Sequence, residues 1–251
     1  MGMQRVVGSV LLNLGIDPRK LKHVRNVGRY TRERRRFLAA GGKIDAVLPI
    51  IADYDDHAGT ATGHYFHQDL LVARYIHEAR PERHIDIGSR IDGFVAHVAA
   101  FRPIDVIDIR PLEAEPHRQI TFLQCDLMEP QPQFIEATDS LSCLHALEHF
   151  GLGRYGDPID PDGHKRAFPN MIRMVKHGGT FYLGVPVGRA AVVFNAHRVF
   201  APAEPLEWAA GELELVQFDY VDDAGDLHLA AKLEQAADLA YGCGIYTFRR
   251  R

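Results

Sequence analysis

Acids and glycines in the middle of the chain stand where they can hold a nucleoside-type ligand. Asp86 and Gly88 close a short apolar segment, and Asp108 and Asp126 follow two further segments of the same kind. A glycine turn after a parallel strand lets a ligand approach the backbone, and a carboxylate about 20 residues further on suits ribose hydroxyls. The pattern predicts a ligand site at these strand ends; a simple strand-to-helix turn is the alternative.

A second group of ionisable residues, His145, Glu148 and His149, follows the next apolar segment. His-x-x-Glu-His is also the inverted zinc-peptidase pattern, which needs both histidines on one helix face. Here the pattern ends a strand and runs into Gly151, so the helix is short and we expect no metal. The family resemblance described below implies instead that His145 and Glu148 line the ligand pocket and that His149 faces the second substrate. Capping of the next helix by Glu148 and His149 is the alternative.

Turn-rich segments on the same predicted edge supply candidates for binding the second substrate. The loop 151–164 is rich in Gly, Pro and Asp, and a rigid Ω-type loop bonded to itself is the alternative to substrate binding. Arg198 suits an anionic acceptor because its guanidinium binds carboxylate or phosphate through two bonds. The substrate-binding candidates are Tyr65, His67, Arg154, Tyr155, Asp157 and Arg198.

A general base for a hydroxyl acceptor is plausibly a histidine that titrates near neutral pH. His149 and His197 are the candidates, and the sequence does not choose between them. Tyr65 and His67 precede a predicted helix, where they form either a lid over the ligand or an aromatic anchor for that helix.

Strands and helices alternate through the middle of the chain. Apolar segments predict strands at 84–87, 105–109, 121–124, 140–144 and 180–185, with helices at about 68–80, up to 100 and 165–176. Such alternation predicts a mainly parallel sheet with helices on both faces. The tail predicts strands at 214–220 and 245–249, one of them antiparallel, separated by a helical segment around 229–241.

Composition is that of a globular protein: 251 residues, 46% hydrophobic, with a net charge of −4 that gives no global preference for nucleic acid. Residues 1–62 form a basic, mostly helical extension, and 63–251 form the main domain. Between 19 and 36 lie nine Lys or Arg residues and one acid. This stretch is either a patch for phosphates, anionic lipid or RNA, or a solvated helix face with Leu21, Val24, Phe37 and Leu38 inward.

Cysteine use and apolar runs bear on the compartment. The three cysteines show no metal-type pairing, and a disulfide framework is not expected, which favours a reducing, cytoplasmic location. The apolar run 6–16 is shorter than a bilayer-spanning helix requires. We therefore expect no membrane span, with peripheral membrane contact through Arg19–Arg36 left open.

The order of these motifs resembles the class I S-adenosylmethionine-dependent methyltransferases. Their first motif is Asp-x-Gly-x-Gly-x-Gly, and this chain has Asp-Ile-Gly-Ser-Arg-Ile-Asp-Gly at 86–93. His-Ala-Leu-Glu-His at 145–149 resembles the turn after strand four in many small-molecule members, and Pro186 matches a proline that often ends strand five. The resemblance covers about residues 65–251.

This resemblance implies an α/β fold: a doubly wound, mainly parallel seven-stranded sheet with an antiparallel seventh strand, binding S-adenosylmethionine. Arg90 takes the place of the second motif glycine, where it is placed to pair with the ligand carboxylate. The acid after strand two is Asp108, and Asp126 stands on the adenine side. The implied cofactor-binding residues are Asp86, Gly88, Ser89, Arg90, Gly93, Asp108, Asp126, Leu127 and His145.

A narrower resemblance covers segments 63–69, 86–90, 151–158 and 194–198. They are similar to an uncharacterised domain family first catalogued from nematode sequences, itself similar to proteins linked to bacterial surface polysaccharides. We therefore expect a methyltransferase acting on a small-molecule or glycan acceptor, with a sugar hydroxyl as target. The alternatives are a non-catalytic scaffold of the same fold, an RNA methyltransferase using the basic patch and, more weakly, a nicotinamide-dependent dehydrogenase.

Overall fold

The computed structural model describes residues 12, 15, 17–114 and 117–251. The chain divides into two compact units, Met1–Thr60 and Ala61–Arg251. The apolar run 6–16 lies outside the described residues except for positions 12 and 15. Among the helices that the structure describes, none combines the length and apolar character needed to cross a bilayer.

The first unit is helical in its described part. Asp17 begins a 3₁₀ helix, Pro18–Asn26, by accepting a hydrogen bond from the Arg19 amide at 3.0 Å. Helix α1, Val27–Ala39, follows directly, and a further 3₁₀ turn covers Asp53–Asp55. The expectation that the apolar side chains of this segment face inward is wrong, because they are 43–71% exposed. These side chains are Leu21, Val24, Phe37 and Leu38.

The second unit is built on an eight-stranded sheet of order β3-β2-β1-β4-β5-β10-β8-β9. Strands β1 to β5 are parallel neighbours, and β10 runs antiparallel between β5 and β8. The predicted fold is confirmed: seven strands form the expected sheet, and the two-residue β9 adds an eighth. The strands are β1 His84–Ile87, β2 Ile104–Asp108, β3 Ile120–Gln124, β4 Thr138–Leu144, β5 Val175–Val187, β8 Leu213–Val221, β9 Leu227–His228 and β10 Gly242–Arg250.

Helices cover both faces of this sheet. On one face pack α2, His64–Ala79, and α3, Ala96–Ala99, through Val72, Ile76 and Val98. On the other packs α4, Gly163–Met174, through Phe168 and Met171. Because the sheet is buried on both sides, the ends of its strands are where polar side chains gather.

Two features of the tail differ from the sequence prediction. The helix expected at 229–241 is wrong: only Leu233–Ala236 is helical, as a 3₁₀ turn. Ala230 has φ +49°, outside the helical region, and the Asp223 carboxylate accepts the amides of Ala240 at 2.9 Å and Tyr241 at 2.8 Å, which a helix would bond to its own carbonyls. A hairpin that the sequence did not predict, β6 Ala191–Val193 with β7 His197–Val199, follows β5; a short α5, Glu204–Trp208, precedes β8.

Candidate functional site

The predicted site lies along the edge where the parallel strands end. Asp86, on β1, is fully buried; its carboxylate accepts hydrogen bonds from the Ser89 amide and hydroxyl, both at 3.0 Å, and from the Ser142 hydroxyl. Burial raises the pKa of Asp86 to about 7. The expectation of direct contact between this carboxylate and a ligand is corrected: Asp86 is buried, and its hydrogen bonds with Ser89 stabilise the turn after β1.

Gly88 is the position in this turn that requires glycine. Its φ is +75°, and a Cβ there would come within 2.6 Å of the Ala146 Cβ. The Gly88 amide donates to the Ile107 carbonyl at 2.9 Å, which ties the turn to β2. The β1 turn and the segment after β4 are therefore in contact at the edge.

The rest of the first motif is more open. Gly93, at φ −117° and ψ −118°, lies in a π turn, Ile91–Val95, before α3. Arg90 is exposed and pairs with Asp92 at 2.7 Å. Pairing of Arg90 with a ligand carboxylate requires it to release Asp92, which is inexpensive because exposed ion pairs contribute little.

Asp108 ends β2 as predicted, but a neighbour covers it. The Arg110 amide donates to Asp108 at 2.8 Å, and the Arg110 guanidinium donates to both carboxylate oxygens. That guanidinium also reaches the Gly88 carbonyl at 3.3 Å and lies 4.5 Å from the centre of the Tyr155 ring. The sequence analysis missed Arg110, although its position two residues after a strand-end acid was visible.

The third acid, Asp126, lies just beyond β3 and is half-buried. Its carboxylate accepts the Met128 amide at 2.8 Å, which organises the loop and leaves the side chain partly accessible. Leu127 is corrected: its side chain is buried in the core beneath the sheet, and only its backbone lies at the edge. Asp86, Asp108 and Asp126 thus belong to three adjacent strands at one edge, with different environments.

The segment after β4 forms a compact buried turn. His145 has φ +50°, and its Nδ1 lies 2.8 Å from Glu148 Oε1, with both side chains almost fully buried. His145 Nε2 and Glu148 Oε2 have no hydrogen-bond partner among the described residues. Burial opposes charge on His145, but Cys243 and Glu148 raise its pKa well above the ordinary value.

His149 is held by the hairpin that follows β5. Its Nδ1 lies 2.6 Å from the Ala196 carbonyl, so Nδ1 carries the proton and Nε2 keeps a lone pair. Burial lowers the pKa of His149 and of His197. His197 lies in β7 with its ring 4.7 Å from the Tyr241 ring.

The loop after β4 supplies fewer substrate contacts than predicted. Asp157 is corrected: its carboxylate accepts the amides of Gly151 at 2.8 Å, Gly153 at 3.1 Å and Tyr155 at 3.1 Å. These hydrogen bonds lie within the loop, as expected for the alternative of a rigid loop bonded to itself. Arg154 donates to the Ala196 carbonyl at 2.9 Å, and the Tyr155 ring meets His149 edge-on at 5.5 Å.

Arg198 does not face an acceptor, which corrects the prediction of an anion clamp. It is 4% exposed and donates to the backbone carbonyls of Phe150 at 2.7 Å and Pro161 at 3.0 Å. Nothing near Arg198 in the sequence indicated this, because the two carbonyls lie 48 and 37 positions earlier. Arg198 fastens the loop after β4 to β7.

The predicted lid residues separate. Tyr65 is 63% exposed, with its ring 5.1 Å from that of His145. His67 packs against Phe66 instead, at 5.2 Å. The sequence also missed His64, whose ring stacks on His145 at 5.2 Å and on Tyr241 at 5.2 Å. Burial, followed by the charge of His145, lowers the pKa of His64 to about 4.

Comparisons with known proteins agree with this architecture. The family model described as "Caenorhabditis protein of unknown function, DUF268" matches residues 104–233. A search of curated proteins gave no significant match.

Solved structures with the same fold include methyltransferases. The N-methyltransferase NodS from Bradyrhizobium japonicum WM9, in complex with S-adenosyl-L-homocysteine, has a TM-score of 0.52 at 15% identity, covering 75% of this chain and 88% of that one. The 1,6-didemethyltoxoflavin-N1-methyltransferase from Burkholderia thailandensis, also in complex with S-adenosylhomocysteine, has a TM-score of 0.52 at 16% identity. The match covers 83% of this chain and 94% of that one. The [4+2]-cyclase SpnF has a TM-score of 0.50 at 17% identity, and the match covers 72% of this chain and 80% of that one. The chain therefore has the Rossmann-like methyltransferase fold.

Proposed function

We propose that this chain, which belongs to the family described as "Caenorhabditis protein of unknown function, DUF268", is an S-adenosylmethionine-dependent methyltransferase acting on a hydroxyl of a small molecule or glycan, in surface polysaccharide synthesis. The observation that carries the proposal is the edge where the glycine turn at Gly88 lies beside the strand-end acids Asp108 and Asp126. In doubly wound folds, ligands bind at this edge. NodS and the toxoflavin enzyme, which share the fold, were crystallised with S-adenosylhomocysteine.

The residues at this edge fit the cofactor with one adjustment. Gly88 and Gly93 place backbone without side chains at the turn, and Asp126 keeps accessible carboxylate surface. Asp108 is positioned to accept two ribose hydroxyls, but Arg110 occupies its oxygens. Because the Arg110 side chain is 37% exposed, it can turn toward solvent when a diol takes its place.

The chemistry that remains for the chain is to orient the acceptor and accept a proton. When bound, S-adenosylmethionine supplies a methyl group on sulfonium sulfur; an O–C bond forms as the S–C bond breaks, and the hydroxyl proton must leave. We assign His149 as the base, because the Ala196 carbonyl fixes its tautomer with Nε2 unprotonated. Glu148 Oε1 lies 3.6 Å from that nitrogen and stabilises the imidazolium formed.

Calorimetry with S-adenosylhomocysteine tests cofactor binding. We expect the purified full-length protein to bind it and Asp108→Ala to weaken binding at least 10-fold, about the contribution of hydrogen bonds to a charged group. Asp105→Ala is the matched control, since Asp105 is on the same strand and pairs with Arg83 at 2.7 Å, away from the site. Equal affinity of the two variants contradicts the assignment of Asp108.

Turnover is tested separately with labelled S-adenosylmethionine and a panel of neutral sugars. Neutral acceptors are appropriate because Arg198 is committed to backbone carbonyls. Methylated product supports the enzyme. Cofactor binding without product from any acceptor, including RNA, supports the non-catalytic scaffold, which the Arg110 cover over Asp108 favours.

A further inference from the structure

Three side chains from distant parts of the chain meet beside the turn after β4. His64 begins α2, His145 follows β4, and Cys243 lies at the start of β10. Because β10 runs antiparallel, its first residues share an edge with the last residues of β4 and β5. One potential ligand atom from each of the three lies within 4.8 Å of the other two.

His145 is prepared as a ligand. Its Nδ1 faces Glu148 Oε1 at 2.8 Å, so that nitrogen donates a proton to the carboxylate, and Nε2 is the atom that would bind a metal in exchange for its own proton. The side chain of His145 is 2% exposed, and Nε2 has no partner among the described residues. A buried unpaired nitrogen is costly and indicates a missing water or ion. A carboxylate behind a histidine is also the usual support of a metal ligand.

Cys243 completes the donor set. Its side chain is fully buried, it is free of disulfides, and its thiol donates a weak hydrogen bond to Gln68 Oε1 at 3.4 Å. Gln68 follows His64 by one helical turn on α2 and is also buried, so both face the same cluster. The thiol therefore has room to exchange this contact for a stronger one.

We propose that His64, His145 and Cys243 bind a zinc ion, with Glu148 supporting His145. Two imidazoles and a thiolate are ligands that zinc takes in tetrahedral sites and that copper also accepts; three protein ligands leave a fourth position for water. Ligand atoms round tetrahedral zinc lie about 3.5 Å apart, and the three atoms here lie within 4.8 Å of one another, so zinc binding draws them closer together. The proposal is independent of the proposed methyl transfer.

Metal binding to the full-length, tag-free protein tests the proposal. After chelator treatment, addition of Zn²⁺ and removal of the excess, we expect one zinc per chain by elemental mass spectrometry. We also expect Co²⁺ to give thiolate-to-metal charge-transfer absorption, which Zn²⁺ abolishes by competition. Cys243→Ser should lose that absorption, and Cys125→Ser, a thiol outside the cluster, should keep it. No absorption from the wild type, or the same absorption from Cys243→Ser, overturns the site.

Two further variants cover the case in which Cys243→Ser fails to fold. His64→Ala, at the half-buried ligand, should weaken Co²⁺ binding at least 10-fold. Glu148→Gln should weaken it about 10- to 100-fold while the charge-transfer absorption remains, because the thiolate is still a ligand. Unchanged affinity in both contradicts the proposal. S-adenosylhomocysteine calorimetry on the same samples separates the claims: zinc binding without cofactor binding rejects only the proposed function.

Discussion

The guanidinium of Arg110 covers the carboxylate of Asp108, two residues before it in the chain, and donates hydrogen bonds to both carboxylate oxygens. The carboxylate that the motif assigns to ribose is therefore already satisfied before a ligand arrives. Arg110 also touches Gly88 and Tyr155, and so it joins the β1 turn to the loop after β4. Ligand binding and the position of this side chain are expected to be coupled.

Removing Arg110 should strengthen cofactor binding. In Arg110→Ala the ribose no longer competes with the guanidinium for Asp108. We therefore expect S-adenosylhomocysteine to bind about 3- to 10-fold more tightly, which corresponds to the free energy of one partly exposed, charge-assisted hydrogen bond. The double variant with Asp108→Ala should bind as weakly as Asp108→Ala alone, since the competition needs both partners. Weaker binding by Arg110→Ala would mean that the guanidinium itself holds the ligand.

Gly88→Ala should destabilise the domain more than a glycine change at the same backbone angle elsewhere. Gly88 and Gly178 both have φ +75°, but a Cβ at Gly88 meets Ala146 at 2.6 Å and one at Gly178 meets nothing within 4 Å. We expect Gly178→Ala to cost about 1 kcal/mol and Gly88→Ala about 1–3 kcal/mol more, from overpacking. Urea unfolding measures both, and equal costs would contradict the close approach.

The buried Asp86 should make stability fall as pH rises. Its folded pKa is about 7 against an ordinary 3.8, so between these values the folded state keeps a proton that the unfolded state releases. That stability is fully present below pH 4 and lost above pH 7, with a slope of at most about 1.4 kcal/mol per pH unit.

The matched comparison for this effect is Asp86→Asn. Burial lowers the pKa of His84 to about 3, and this residue acts in the opposite direction. As pH falls, the unfolded state binds a proton at His84 that the folded state does not, so the folded protein loses stability. The difference between wild type and Asp86→Asn removes that background. From pH 5 to 8, the unfolding free energy of the wild type should change by about 1–3 kcal/mol more in the destabilising direction. Parallel pH profiles would show that Asp86 is ionised throughout.

If methyl transfer is detected, His149→Ala should lower kcat about 10²- to 10⁴-fold and leave S-adenosylhomocysteine affinity unchanged. Because burial lowers the pKa of His149, the rate should rise with pH on the acid side and level off before neutrality. His197→Ala, at the other candidate base, should keep that profile. A profile that disappears in His197→Ala instead transfers the assignment to His197.

Local patterns predicted most of the sheet. Alternating apolar segments located β1 to β5, β8 and β10 within a few residues, because strand burial and the turns between strands are set by neighbouring residues. The helix predicted at 229–241 was wrong because Ala230 has a left-handed φ of +49° and Asp223, outside the segment, accepts the amides of Ala240 and Tyr241. The site residues predicted from motifs lie in different environments. Asp108 stands at its strand end, whereas Arg198 and Asp157 make hydrogen bonds to the backbone of the loop after β4.

The sequence alone determined the fold class and the edge at which acids and glycines collect, since the alternation of strands and helices follows from periodicity and turn chemistry close along the chain, and the resemblance implied the sheet arrangement. Only the tertiary structure decided which polar groups remain accessible there. Arg110 turning onto Asp108, Arg198 reaching carbonyls, and His64 meeting His145 and Cys243 depend on side-chain directions and long-range packing. The last two of these contacts join residues far apart in the sequence, and the first, between residues two positions apart, depends on the direction that the Arg110 side chain takes in the folded domain.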